Sequence, residues 1–312
     1  MKKISIVTAC YNEEENVIEL INRVRKVMKC YSSKYNYEHI FIDNASEDKT
    51  VELLKSEASI DKRIKIIINS RNFGHVRSPS YALLQAEGDV VISIVADLQD
   101  PPETIAKFIE KWEDGNDIVI AVKDKTEEVG LMSIIRSVYY KILHKLSEVR
   151  TFKNFTGFGL FDKKVITALR QMNDPYPFFR GMLAEVGYKV YELPYSQPSR
   201  VKGITKNNFY TLYDMGVLGI ISNSKIPLRL AIFIGAISAI LSLLIGVVYL
   251  ALKLIFWEEM SAGIAPLIIV VSFMLSILLF FLGLIGEYVG AIYTQVLNRP
   301  LVFVKERVNF DD

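Results

Sequence analysis

Residues 89–103 read DVVISIVADLQDPPE. Five apolar β-branched residues broken by a single serine make a strand buried on both faces, and the strand stops where ADLQD begins. The same pattern recurs on either side. KISIVTA (3–9), EHIFID (38–43), IKIII (64–68) and DIVIAV (117–122) are further short apolar strands. Helical stretches separate them. NVIELINRVRKVMK (16–29) carries apolar residues at Val17, Leu20, Ile21, Val24 and Val27, and SEDKTVELLKSEA (46–58) reads as a helix capped by Ser46. Strands alternating with helices predict a mostly parallel, Rossmann-like sheet covered on both faces. Ligands of such sheets bind beyond the carboxyl ends of the strands. The loops expected there are TACYNEEEN (8–16), DNASEDKT (43–50), SRNFGHVRS (70–78) and ADLQDPPE (96–103), and three of the four carry carboxylates.

The hydrophobic fraction of 51% is concentrated near the C-terminus. LAIFIGAISAILSLLIGVVYLAL (230–252) and IAPLIIVVSFMLSILLFFLGLIG (264–286) are each 23 residues without a charge. That is long enough to cross about 30 Å of hydrocarbon, which predicts a two-helix transmembrane hairpin. Lys225 and Arg229 precede it and Arg299, Lys305 and Arg307 follow it, whereas the link holds Glu258 and Glu259 beside Lys253. The basic excess at both outer ends places them, and the large N-terminal domain, in the cytoplasm. The apolar run of MKKISIVTAC is too short for a signal peptide. The expected protein is a multi-pass protein of the inner (plasma) membrane with its N-terminal domain cytoplasmic. LMSIIRSVYYKILHKL (131–146) and NNFYTLYDMGVLGIISNSK (207–225) are amphipathic and suit either an ordinary core-facing helix or the headgroup layer.

Asp97 and Gln99, two residues apart at the end of a strand, offer two hard oxygen ligands for a divalent cation, with diphosphate oxygens and water completing the shell. A lone aspartate there serves more often as a turn or helix cap, and Pro101–Pro102–Glu103 makes Asp100 a candidate cap. Arg136, Arg200, Lys202 and Lys206 form a cationic set suited to phosphate or to anionic lipid. GFGLFD (157–162) holds only Gly-x-Gly, too little for a dinucleotide fingerprint, and reads as a turn at a strand edge. LVFVKERV (301–308) alternates like an edge strand able to pair with another subunit. Cys10 and Cys30 suggest buried thiols rather than a disulfide or metal site, and His39, His75 and His144 have no ligand spacing. A formal net charge of +2 points to no particular partner.

TACYNEEENV, FIDNASEDKT, SRNFGHVRSPSYALLQAEGDVVISIVADLQDPPE and RVKGITK, followed by the hairpin, together resemble a family 2 glycosyltransferase. The similarity is to the dolichyl-phosphate mannose synthase and bacterial polyprenyl-phosphate glucosyltransferase branch, from residue 3 to about 307. It implies an α/β GT-A fold and inverting transfer from a nucleotide-sugar, UDP-hexose before GDP-mannose, to a polyprenyl phosphate such as undecaprenyl phosphate. It further implies Mg²⁺ or Mn²⁺ as cofactor, a homo-oligomer as a possible state, and no nucleic-acid partner. By the same resemblance Ala9, Tyr11, Glu13 and Asp43 flank the nucleotide, Asp97 and Gln99 hold the metal, and Arg200 and Lys206 grip phosphates. The expected division is a GT-A domain over 1–206, a juxtamembrane segment over 207–227, the hairpin over 228–290 and a cytoplasmic tail over 291–312. Two departures stand out: Asn44 and Val95 occupy positions where the family usually has aspartates. They motivate a second reading, an inactive relative that binds nucleotide-sugar or scaffolds a flippase. A phosphate acceptor needs no general base, since its second pKa lies near ~6 and it arrives ionised.

Overall fold

The computed structural model describes residues 1–123, 152, 154–196, 226–256 and 264–310. Five strands expected from the sequence form at their expected places: β1 (Lys2–Cys10), β2 (Tyr35–Asp43), β3 (Ile64–Asn69), β4 (Val90–Val95) and β5 (Ile118–Lys123). They join β6 (Phe155–Asp162), β7 (Val190–Tyr195) and β8 (Val304–Val308) in one eight-stranded sheet of order β7-β5-β6-β4-β1-β2-β3-β8. Six strands run one way, and β6 and β8 run against them.

Helices cover both faces, so successive residues of the central strands are both buried and the strands read as continuous apolar runs. Ile4 and Ile6 of β1 and Phe41 of β2 pack with α1 (Val17–Lys29), α2 (Thr50–Ile60) and α4 (Thr104–Glu113) through Leu20, Leu54 and Phe108. Val7, Ile40 and Ile42 point to the other face. There they join Leu83 of α3 (Gly74–Gln85), Val165 and Leu169 of α5 (Lys163–Met172) and Leu183 of α6 (Phe179–Glu185). His39 lies on the first face, its ring 4.1 Å from that of Phe41: burial drives its pKa down to about 3, leaving a neutral imidazole 2.9 Å from Thr8 Oγ1.

Two apolar helices follow, α7 (Ile226–Ile255) and α8 (Ile264–Leu297). Each is long and apolar enough to cross a membrane, over Ile226–Tyr249 and Phe273–Leu297.

Several expectations need correction. Ser46 does not cap α2, which starts at Thr50 behind Lys49; its hydroxyl serves the preceding loop. GFGLFD is no turn but the body of β6, inserted between β4 and β5. Gly159 permits this, because a Cβ there would lie 2.7 Å from the carbonyl oxygen of Val119. Cys10 is buried but Cys30, at the solvent-facing end of α1, is exposed. The tail does form an edge strand, as expected: β8 pairs antiparallel with β3, from Ile66 opposite Val308 to Asn69 opposite Val304, and ends the sheet.

Candidate active site

Strand register brings the chemistry-bearing loops together. Cys10 lies opposite Asp43, and Ala9 lies opposite Val95 on its other side. With strands about 4.8 Å apart, the ends of β4, β1 and β2 span roughly 10 Å. Ala9, Tyr11, Glu13, Asp43, Asp97 and Gln99 therefore all belong to one sheet end. Arg136, Arg200, Lys202 and Lys206, like both amphipathic segments and His144, lie outside the described residues.

The loops after β1 and β2 are laced to one another. Asn12 N–H donates to Ser46 Oγ at 2.9 Å, and Glu47 N–H returns a bond to Asn12 Oδ1 at 2.8 Å. Glu13 N–H donates to Thr50 Oγ1 at 2.8 Å, and Lys49 N–H donates to Glu14 Oε2 at 2.9 Å. Asn12 and Ala45 take left-handed backbone conformations, φ 55° and 63°, which this lattice of bonds sustains. Asp43 is fully buried, and its carboxylate accepts the N–H and hydroxyl of Ser46. Burial raises its pKa against the pull of those bonds. In this structure Asp43 shapes the loop.

Asn44 also looks inward. Its Nδ2 donates to Asn72 Oδ1 at 2.8 Å and to the Gly74 carbonyl at 3.3 Å. Its Oδ1 accepts from Phe73 N–H at 2.9 Å and Asn69 Nδ2 at 3.2 Å. An amide can both donate and accept here; a carboxylate can only accept. The departure from the family's aspartate is thus a packing choice, tying the ends of β2 and β3 together. Asn44→Asp is expected to destabilise the protein by about 1–3 kcal/mol at neutral pH, since the buried side chain at 44 loses both of its donated bonds and sets a charge against Asn72 Oδ1 and the Gly74 carbonyl. Lowering the pH should shrink the loss, because the protonated carboxyl regains one donor. Thermal unfolding at two pH values checks this, and an unaltered midpoint at pH 7 would refute it.

Asp97 and Gln99 follow β4, both half-buried. Gln99 N–H donates to Asp97 Oδ1 at 3.1 Å, and Leu98 between them has φ 59°. Among the described residues no group of three or more His, Cys, Asp or Glu is arranged to hold a metal ion. One carboxylate and one amide oxygen still suit a hard cation that brings phosphate and water ligands with it. Val95 stands 39% exposed at the strand end, an apolar neighbour to this pair.

Asp100 does not cap α4. Glu103 stands at that helix start without a side-chain cap, and Asp100 is buried, accepting a hydrogen bond from Tyr195 at 2.7 Å. Sequence reasoning misses the Asn44 and Asp100 arrangements; the one available signal is the recurrence of asparagine in DNAS and INSRNFG, the loops that meet.

Comparison with known proteins agrees with this geometry. Residues 5–166 match glycosyl transferase family 2. The chain is 35% identical over 305 residues to the uncharacterized glycosyltransferase sll0501 of Synechocystis, covering 97% of this chain and 95% of that one. It is 34% identical over 309 residues to the uncharacterized glycosyltransferase YkcC of Bacillus subtilis, covering 99% and 95%. With the SfII prophage-derived bactoprenol glucosyl transferase of Shigella flexneri it shares 32% identity over 305 residues, covering 97% and 98%. The similarity takes in both apolar helices as well as the sheet. With its mostly parallel α/β sheet of the GT-A type, its loops gathered at the strand ends and this full-length likeness, the chain belongs to glycosyl transferase family 2.

Proposed function

We propose that the protein transfers a hexosyl group from a UDP-hexose to a polyprenyl phosphate, with inversion, at the cytoplasmic face of the membrane. The observation that carries this reading is the likeness, end to end, to a bactoprenol glucosyl transferase. The geometry supports it, for a parallel-sheet end that gathers Ala9, Tyr11, Glu13, Asp97 and Gln99 shares one chain with two membrane-length helices. An ionised phosphate oxygen of the acceptor attacks the anomeric carbon, the bond from that carbon to the donor's diphosphate breaks, and UDP leaves. No proton need move, so the step calls for no general base.

Ala9, Tyr11 and Glu13 line the nucleotide subsite and Asp43 holds its loop. Asp97 and Gln99 would hold Mg²⁺ or Mn²⁺, which when bound supplies positive charge against the departing diphosphate. Arg136, Arg200, Lys202 and Lys206 are assigned to the acceptor phosphate. The catalytic domain of 1–206, the juxtamembrane segment of 207–227 and the hairpin of 228–290 follow the same reading. A C-terminal tail that returns to the catalytic sheet supports an even number of crossings, with both ends on one side. A reporter fused after Asp312 should read cytoplasmic and one inserted at Glu258 external; an external C-terminus would break the hairpin.

The deciding experiment offers a panel of nucleotide-sugars to the purified protein with undecaprenyl phosphate, with Mn²⁺ or with chelator, and reads lipid-linked product. UDP-hexose with metal should give product. Arg200→Ala should cut transfer about 10- to 150-fold, the loss of a charge-assisted bond, while leaving donor affinity nearly unchanged. Equal losses in both would move Arg200 to the donor subsite. Donor binding without product in every combination would favour the inactive-scaffold reading.

A further inference from the structure

Asp100 is 1% exposed and lies three residues beyond Asp97 in the same loop. Its partner Tyr195 is the last residue of β7, 95 positions away in sequence, and donates its hydroxyl hydrogen to Asp100 Oδ1 at 2.7 Å. Tyr195 is itself held. Its ring stands edge-on to Phe158 of β6 at 5.9 Å between centroids, and Phe158 packs against Phe108 of α4 at 4.7 Å. Thr156 Oγ1 lies 3.5 Å from the same phenol oxygen. Burial first, then the Asp100 carboxylate, pushes the phenol far above its ordinary pKa, so it remains a donor at any working pH.

The segment between these groups is constrained. Leu98 adopts a left-handed backbone, uncommon for a bulky residue, with its side chain 7% exposed. Such a conformation persists only where the surroundings enforce it. On one side the enforcement is β4; on the other it is Asp100, moored to β7. We propose that Tyr195 and Asp100 are positioning residues of the donor site, fixing the Asp97–Gln99 turn by tying its far end to β7. The inference rests on the reading of Asp97 and Gln99 as donor-site groups. Asp100 then differs from Asp97 in role, since the carboxylate that accepts from Tyr195 sets where its neighbours stand.

Hydrogen exchange on the full-length protein in lipid nanodiscs tests the tie directly, alongside transfer kinetics and metal-free nucleotide binding. In Tyr195→Phe, exchange at the amides of Leu98, Gln99 and Asp100 should quicken about tenfold, the worth of one hydrogen bond, with β1 and β2 unchanged. The kcat should fall by about the same factor while metal-free nucleotide affinity stays put. Asp100→Asn keeps an oxygen that accepts from Tyr195 and should stay near wild type, whereas Asp100→Ala should behave as Tyr195→Phe. Unchanged exchange at these amides in Tyr195→Phe overturns the proposal. So does quickened exchange with a wild-type kcat, and so does loosening across the whole sheet with kcat and nucleotide affinity falling together. Should the wild type yield no product from any donor, the transfer reading fails, and the exchange at residues 98–100 still decides whether the turn is tied.

Discussion

Replacing Asp97 by asparagine is expected to lower sugar transfer by roughly 10²–10³-fold, with metal in excess and the protein still folded and membrane-bound. The variant keeps the side chain's shape and an oxygen able to accept the Gln99 N–H, seen at 3.1 Å, so the turn should survive. It loses the negative charge that a hard cation prefers. Electrostatic stabilisation of a developing anion is commonly worth ~3–4 kcal/mol, which sets the size of the effect. Asp100→Asn should cost far less, because the Tyr195 hydroxyl still finds an oxygen. The check is the transfer rate of both variants against manganese concentration. Near-normal turnover by Asp97→Asn, with Asp100→Asn inactive, would put the metal on the other carboxylate. Activity in both would remove the metal from the mechanism.

Ending the chain after Leu297 is expected to cost the catalytic domain most of its stability, although the lost residues carry no proposed chemistry. The tail from 298 to 310 is built into the sheet. Val302 is 4% exposed, and burying such a side chain is worth about 1.5–3 kcal/mol. Arg307 donates to Gln85 Oε1 at 2.7 Å and to the Tyr81 hydroxyl at 2.9 Å, clamping α3. Asn309 Nδ2 donates to the carbonyls of Ala58 and Ile64 at 2.8 and 2.9 Å, and Arg77 reaches the Pro300 carbonyl at 2.7 Å. At about 0.5–1.5 kcal/mol apiece these bonds and the β8 ladder, with Val302, total several kcal/mol. That is comparable to the ~5–15 kcal/mol net stability of a typical domain. Removal would also bare the edge of β3, with Ile66, Ile67 and Ile68, as a template for aggregation. Size-exclusion chromatography and thermal unfolding of the truncated protein test this. A monodisperse product melting with the full-length chain would show that β8 is dispensable. Arg307→Ala, a milder change, should lower stability by about 1–3 kcal/mol through the polar partners it strands.

Much of the site is legible in the residues alone. DVVISIV, KISIVTA and EHIFID are buried on both faces, so their composition announces strands without reference to what lies beside them. The end of each strand follows, and with it the loops that hold Ala9, Tyr11, Glu13, Asp43, Asp97 and Gln99. What the loops do among themselves is not legible. Asn44 looks like a missing carboxylate, because its partners Asn69, Asn72 and Phe73 lie on another strand–helix connection. Asp100 looks like a cap because Pro101 and Pro102 follow it, while the hydroxyl that engages it comes from residue 195.

The sequence by itself determined the α/β alternation, the position of five strands, the two membrane-length helices and the sheet end that gathers the candidate site residues. Each of these depends on the burial of a segment or on its length, quantities that hydrophobic periodicity records locally. Only the tertiary structure decided that LVFVKERV joins its own sheet as the edge strand beside β3, that GFGLFD runs as a strand between β4 and β5, and that Asn44 and Asp100 face inward. These are choices of partner. An edge strand presents the same unpaired amides to its own chain as to another, and a buried amide or carboxylate accepts whichever donor the fold delivers. The pairing is therefore set by chain connectivity and packing, over separations as long as the 251 residues between Ala58 and Asn309.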